Sequence, residues 1–335
     1  MWSFFALKKR GEIMPKSKTS LNELLYDIRR IAEHREVLTE EKIRAIYKSL
    51  VKDLNAYIAE YYVQYADEEG ILTISKLQEK MKYAKFLEEI EKNVNIFAPL
   101  VAKEIIELVE NTYKISYEGM ETAVNASYKL EELNVRPEVM KRAVANNIEK
   151  LTALPALLER NRAEIIYEMK QIINIGLLNG ERYETMAKKI IEKVDISYGR
   201  ATNIVRTETH RNIEAGFNDC AQDIVKGLEG SDLVYVKIWR TMKDDRVRPQ
   251  KVYKTKKGWK KTISRNGADH VKMEGVTVEA TDTFKLEYNV YATCPGMSGT
   301  ARNDCRCRCF LEYDLLTKEE WKKLGKRQVN KEKSK

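Results

Sequence analysis

The sequence has no apolar run approaching the ~18 residues that a membrane-spanning helix needs. It also lacks a glycine-rich phosphate loop, a nucleophile elbow and a His-Glu-x-x-His zinc helix, which removes the commonest routes to phosphoryl transfer, acyl transfer and metal-assisted proteolysis. Glycine is scarce, 15 in 335 residues, so helices meet few interruptions. Cysteine is scarce too, and the five are unevenly placed: Cys220 stands alone, while Cys294, Cys305, Cys307 and Cys309 cluster late in the chain. An odd count argues against a disulfide framework. The first ten residues put Trp2, Phe4 and Phe5 ahead of Lys8, Lys9 and Arg10. That order is the reverse of a secretory signal, and the apolar stretch is too short for one. The expectation is a soluble chain made in the cytoplasm, with an apolar arm suited to docking on a partner.

What is present in excess is charge. Lys and Arg number 60 against 51 Asp and Glu, a net charge of +9. Such a balance favours polyanionic partners, nucleic acid first and an anionic membrane surface second. An apolar fraction of 43% is ordinary for a globular protein and argues against wholesale disorder.

Hydrophobic spacing divides the chain by texture. Leu21, Leu24, Leu25, Ile28 and Ile31 recur at helical spacing behind a cap at Ser20, and Ile43, Ile46, Tyr47, Leu50, Leu54, Tyr57, Ile58 and Tyr61 predict a second helix. The tyrosines fall on the apolar face and read as packing. Glu68-Glu69-Gly70 breaks the pattern, and Leu77, Met81, Ile90, Val94, Phe97 and Val101 resume it. Further helices are signalled over 137–150 and 155–178, each with a proline near its start. A turn at Asn179-Gly180 precedes a short helix through Met186 and Ile191, and another helix starts near Ser197. After Gly230 the period becomes two, and 233–239 reads as a strand. A lysine-loaded hairpin around Lys257-Gly258, short strands over 275–284 and 307–313, and a frayed helix or solvated tail from Thr317 complete the pattern. The fold class expected is α+β: an elongated α-helical body and a small mixed helix and strand domain with a Cys/His cluster.

From Leu177 onward the motifs arrive in a recognisable order: Leu177 to Gly180 with Met186-Ala187, then Arg206-Thr207-Glu208 with Asn212 and Gly216. Trp239, Asp244-Asp245-Arg246-Val247-Arg248, His270 to Gly275, Phe284, Cys294-Pro295 and Asn303-Asp304-Cys305-Arg306-Cys307 follow. Together they resemble the Mu-F-type minor head proteins of phages, also described as head morphogenesis proteins. Two departures stand out. The family histidine usually follows the Arg-x-Arg element closely, whereas a lysine-rich hairpin separates Arg248 from His270 and reads as an insertion; Cys309 is an additional thiol. The organisation expected is an arm over 1–20, a helical region over 21–174, the family domain over 175–316 with a basic insertion at 251–265, and a charged tail over 317–335. The resemblance implies a minor capsid protein inside the phage head, made in the host cytoplasm. Its implied partners are the portal and the capsid or scaffold proteins, and its implied work is head assembly and DNA packaging or ejection.

Three groups of residues carry the chemistry. His270, Cys294, Cys305 and Cys307, with Cys309 as an alternative fourth ligand, offer nitrogen and sulfur donors suited to a structural zinc ion. The competing reading makes the thiols small buried hydrophobes and lets His270 bond a backbone carbonyl. Lys254, Lys256, Lys257 and Lys260 with Trp259 suit phosphate contact and base stacking without sequence preference; a lysine-guarded edge hairpin is the plainer reading. Arg206 and Glu208 cannot pair with each other two apart on a helix, so each is expected to reach the strand domain, Glu208 meeting Arg246 or Arg248 in a structural ion pair. No catalytic set emerges, because four protein ligands would leave a zinc ion no position for a water nucleophile. The rival readings are a DNA-binding accessory protein with a structural zinc domain, and a metal-dependent hydrolase or nuclease.

Overall fold

The computed structural model describes residues 20–128, 153–244, 247–248, 251–255, 258–261 and 268–333. Helix α1 (Leu21–Tyr65) begins at a capping box, in which the Ser20 hydroxyl accepts from the Glu23 amide at 3.3 Å and the Glu23 carboxylate accepts from the Ser20 amide at 2.7 Å. It runs 45 residues as one helix where the hydrophobic spacing suggested two. Residues 32–42 hold neither glycine nor proline, so their charge marks an exposed stretch and not a stop. Gly70, at φ +75°, makes the break. Helices α2 (Ile74–Glu79), α3 (Tyr83–Tyr128) and α4 (Ala153–Leu178) follow, and the helix expected over 137–150 lies outside the described residues.

Helix α5 (Tyr183–Gly227) is again 45 residues long and continuous through Ser197. Asp195, Ser197 and Gly199 look like a helix end in sequence, but Val194, Ser197, Ala201 and Val205 are buried. Tertiary packing overrides weak local propensity there.

The long helices share two apolar cores. The first, the body, gathers Ile43–Tyr62 of α1, Phe86–Val109 of α3, Leu154–Leu177 of α4 and Met186–Val205 of α5. Tyr47 and Tyr61 are buried in it, as their spacing predicted; Tyr57 packs against it partly buried, and Tyr62 is buried as well. The second, the head, gathers the start of α1, the end of α3 and the end of α5 under a small sheet. Helix α1 therefore runs antiparallel to α3 and α5. At the crossing of α3 and α5, a Cβ on Gly216 would lie 2.8 Å from the Tyr113 carbonyl, so only glycine lets the backbones meet this closely.

The head sheet is antiparallel with order β4-β1-β7, from β1 (Leu233–Thr241), β4 (Thr277–Glu279) and β7 (Cys309–Thr317). Its register pairs Lys237 with Tyr313, Trp239 with Leu311 and Thr241 with Cys309. Tyr235, Lys237, Trp239 and Thr241 of β1 are buried at a period of two, as on a covered face, and Val236 on the other face is buried as well. The basic hairpin is a separate ribbon of β2 (Lys251–Thr255) and β3 (Gly258–Lys261), and β5 (Phe284–Lys285) pairs with β6 (Tyr291–Ala292). A four-residue helix, α6 (Ala301–Asp304), precedes β7, and the chain continues into α7 (Lys318–Lys333). No helix among the described residues is long and apolar enough to cross a membrane.

Candidate metal centre

Strand β7 opens at Cys309, and Cys307 stands two residues before it; both thiols are buried against the end of α5. His270 arrives from the other side, at the start of the short 3-10 turn Val271–Met273. Its Nδ1 lies 3.6 Å from the Cys307 sulfur and 3.4 Å from the Cys309 sulfur. Among the described residues these three form the His/Cys/acid group whose donor atoms all fall within 4.8 Å of one another, and they could hold a metal.

The surrounding motif residues aim this group. His270 Nε2 bonds Asn303 Oδ1 at 3.1 Å, and the Asn303 amide donates to Thr300 Oγ1 at 2.8 Å. With the proton on Nε2, Nδ1 presents its lone pair to the thiols. Asp304 caps the neighbouring loop by accepting from the Ser298 and Thr300 amides at 2.9 and 3.1 Å. Arg248 donates to the Asn303 carbonyl at 2.7 Å and also to the Cys305 carbonyl. The Arg248 carbonyl in turn accepts from the His270 and Val271 amides at 2.9 and 3.0 Å. Arg248 and His270 are thus adjacent in space, and the intervening basic segment leaves and returns at one point.

The surroundings shift the two thiols in opposite directions. Hydrogen bonding from Cys309, then from His210 and His270, holds the Cys307 thiol well below its ordinary value against the opposing effect of burial. Cys309 is pushed up, chiefly by its bond to Cys307 and by burial. Burial is the largest influence on His210 and works against its charge, but its interactions with Cys307 and the charge of Glu214 together outweigh this and raise its value.

Of the expected ligand set, the structure brings His270, Cys307 and Cys309 together and leaves two members apart from them. Cys305 is exposed and lies 3.9 Å from Thr207 Oγ1, because the chain turns there at Arg306, φ +52°. Cys294 is buried, but beside Thr293 and Lys237 and outside the three-residue group, where burial pushes its thiol up. Cys309, the additional thiol, takes a central place.

The Arg206-Thr207-Glu208 signature also differs from expectation. Arg206 reaches α1, not the sheet, binding Glu40 through two bonds of 2.6 and 2.9 Å. Thr207 accepts from the Arg306 amide at 3.3 Å. Glu208, 3% exposed, pairs with Arg211 at 2.7 Å, one turn along its own helix, and Arg211 donates to the Gly296 carbonyl at 2.8 Å. Arg211 stands at i,i+3, on the same helix face as Glu208. Arg246 lies outside the described residues, as do Lys256 and Lys257. Lys254, Trp259 and Lys260 belong to the β2–β3 ribbon, where Lys254 is in register with Trp259 and Val252 with Lys260.

Sequence reasoning missed the largest polar feature. Arg29, 5% exposed, meets Glu214 through bonds of 2.8 and 3.3 Å and donates to the Leu311 carbonyl at 2.7 Å, while Glu214 accepts from the Leu311 amide at 2.9 Å. The available signal was the spacing Leu21, Leu25, Arg29, Ala32, which places Arg29 on the buried stripe.

No protein-family model matches the chain, and no solved structure matches it. Among curated proteins, the minor head protein GP7 of Bacillus phage SPP1 is 28% identical over 280 residues, covering 82% of this chain and 81% of that protein. The likeness extends well beyond the motif-bearing two-fifths of the sequence, and by it the chain resembles the phage minor head proteins along most of its length.

Proposed function

We propose that this chain is a minor head protein of a phage virion, with a structural and not an enzymatic role. The observation that carries this reading is the likeness to SPP1 GP7 over about four-fifths of both chains, joined to motifs that converge on one buried cluster. On this reading the protein sits inside the head, against the portal and the capsid or scaffold proteins, and assists DNA packaging or ejection. The domain over 175–316 is the part that carries the family motifs. A zinc ion at the His/Cys cluster is structural, since the head is small and a metal would contribute directly to its folding. The basic ribbon supplies DNA contact without sequence preference, through Lys254, Lys256, Lys257, Lys260 and Trp259.

Quantitative mass spectrometry of purified particles tests the virion role: the protein is expected at a fixed number of copies alongside portal, and its absence from mature particles refutes the proposal. DNA contact is tested separately. Replacing the four lysines with Gln is expected to flatten the log–log salt dependence of duplex binding by about three or four phosphate equivalents, each worth roughly −0.9 in slope. An unchanged slope moves any DNA contact away from the ribbon.

A further inference from the structure

We propose that Lys237 and Asn218 are the two halves of an intramolecular amide cross-link, in which the lysine amine displaces ammonia from the asparagine carboxamide and joins strand β1 covalently to helix α5. Neither a metal nor a place in the virion is needed for it.

The two side chains meet inside the head, away from water: Lys237 is 0% and Asn218 2% exposed. Lys237 Nζ lies 2.8 Å from Asn218 Oδ1, so the carboxamide carbon, one ~1.2 Å carbonyl bond further, stands no more than about 4 Å from the amine. That is close to the separation of about 3–3.5 Å at which well-placed groups react. Nζ also donates to the Thr293 carbonyl at 2.8 Å, and the Phe284 ring centre lies 5.6 Å away. An ammonium buried against neutral oxygens gives up its proton more readily than one in water, and burial does draw Lys237 down to about 8. The neutral amine is the nucleophile that the reaction needs.

The leaving side is also equipped. Asn218 Nδ2 donates to Asp219 Oδ1 at 3.4 Å, and the Tyr113 hydroxyl donates to Asp219 Oδ2 at 2.7 Å, which holds that carboxyl beside the nitrogen that must depart. Nζ forms a bond to Cγ while the carbonyl electrons move to Oδ1. They then return, the Cγ–Nδ2 bond breaks, and Nδ2 leaves as ammonia. Its third hydrogen comes through the Asp219 carboxyl acting as general acid, and Nζ gives up one hydrogen in exchange. An amine and a primary amide thus become a secondary amide and ammonia, with no oxidant, reductant or cofactor. Helix α5 runs through both cores, so the bond anchors the head sheet to a helix that the body shares. The linked lysine no longer ionises, so the Lys237 titration belongs to the chain whose amine is still free.

For the test, freshly purified full-length protein, folded throughout, is incubated for a week at a pH above the Lys237 value and weighed by intact mass spectrometry. The expected product is lighter by one ammonia per chain, and trypsin no longer cuts after Lys237. A succinimide at Asn218 would shed the same ammonia, so tandem spectra of the digest must show a branched peptide joining Asn218 to Lys237. Lys237→Met and Asn218→Ala are expected to keep their full mass. Asp219→Asn is expected to form the bond about 100-fold more slowly, the scale of general-acid catalysis. The branch is read in the wild type itself, so a variant that folds poorly leaves the answer intact. A wild type that keeps its full mass, or that loses ammonia without the branch, overturns the proposal. Asp219→Asn linking at the wild-type rate removes Asp219 from it.

Discussion

The body and the head are built on the same three long helices but held together differently. In the body the buried residues are apolar or hydroxyl-bearing, with aromatic contacts such as Tyr61 against Phe86 at 4.4 Å between ring centres. In the head, Arg29, Glu208, Glu214, Lys237 and Asp304 are all buried, together with His270, Asn212, Asn218 and Asn303. A helical bundle can be large and stable through area alone. A small sheet seated on helix ends has less apolar area to bury, and here it is oriented by buried pairs that tolerate few alternatives. The lesson is that one continuous helix can serve both regimes: α5 changes from apolar to polar burial near Thr207.

The sharpest way to break this contrast is Glu214→Ala. It strands the Arg29 guanidinium and the Leu311 amide inside the head, and breaking a buried pair from one side costs about 3–5 kcal/mol. Leu54→Ala in the body is expected to cost a comparable ~2–5 kcal/mol, by leaving a cavity. Urea unfolding measures both. A Glu214→Ala cost below about 1 kcal/mol, the level of an exposed pair, would mean that the head's polar pairs are incidental.

Lys237 gives a difference in pH dependence. Its Nζ donates to Asn218 Oδ1 and the Thr293 carbonyl, both at 2.8 Å. Burial draws it down from 10.5 to about 8, against the attraction of Cys294, Asp282 and Asp219. Between those values the unfolded chain binds the proton that the folded chain has released, so stability rises with pH across the window by about 3 kcal/mol from this group. Lys237→Met is expected to lack that rise, read as the difference between wild-type and variant unfolding free energies from pH 7.5 to 10.5. Parallel curves contradict it.

Gly216→Ala probes the junction of the two regions. The new Cβ meets backbone atoms of α3 that cannot swing aside, and overpacking of this kind costs about 1–3 kcal/mol. The smallest effect is at the start of α1, where Ser20→Ala removes the capping box and is expected to cost about 1 kcal/mol. Thermal unfolding resolves both, and a stabilised Gly216→Ala variant would show that the helices do not meet as closely as described.

Much of the body was legible because one rule governs it: apolar residues at helical spacing make the buried stripe, and they did so from Ile43 through Ile58. What periodicity could not reveal was continuity. Charged residues at 32–42 and the Asp195-Ser197-Gly199 stretch look like boundaries, yet neither halts a helix whose other face is packed. In the head, the strand at 233–239 and the convergence of His270 with Cys307 were readable from residue type and order. The partners of Arg206 and Glu208 were not, because they depend on which helix face meets which neighbour.

Native-state hydrogen exchange on Glu214→Ala tests the division most directly. The account predicts faster exchange in β1, in β7 and in α5 beyond Thr207, with protection kept in α1 from Ile43 to Ile58 and in α5 from Met186 to Val205. A uniform loss of protection through all of these segments would contradict it, and would show a single cooperative unit in place of two cores on shared helices.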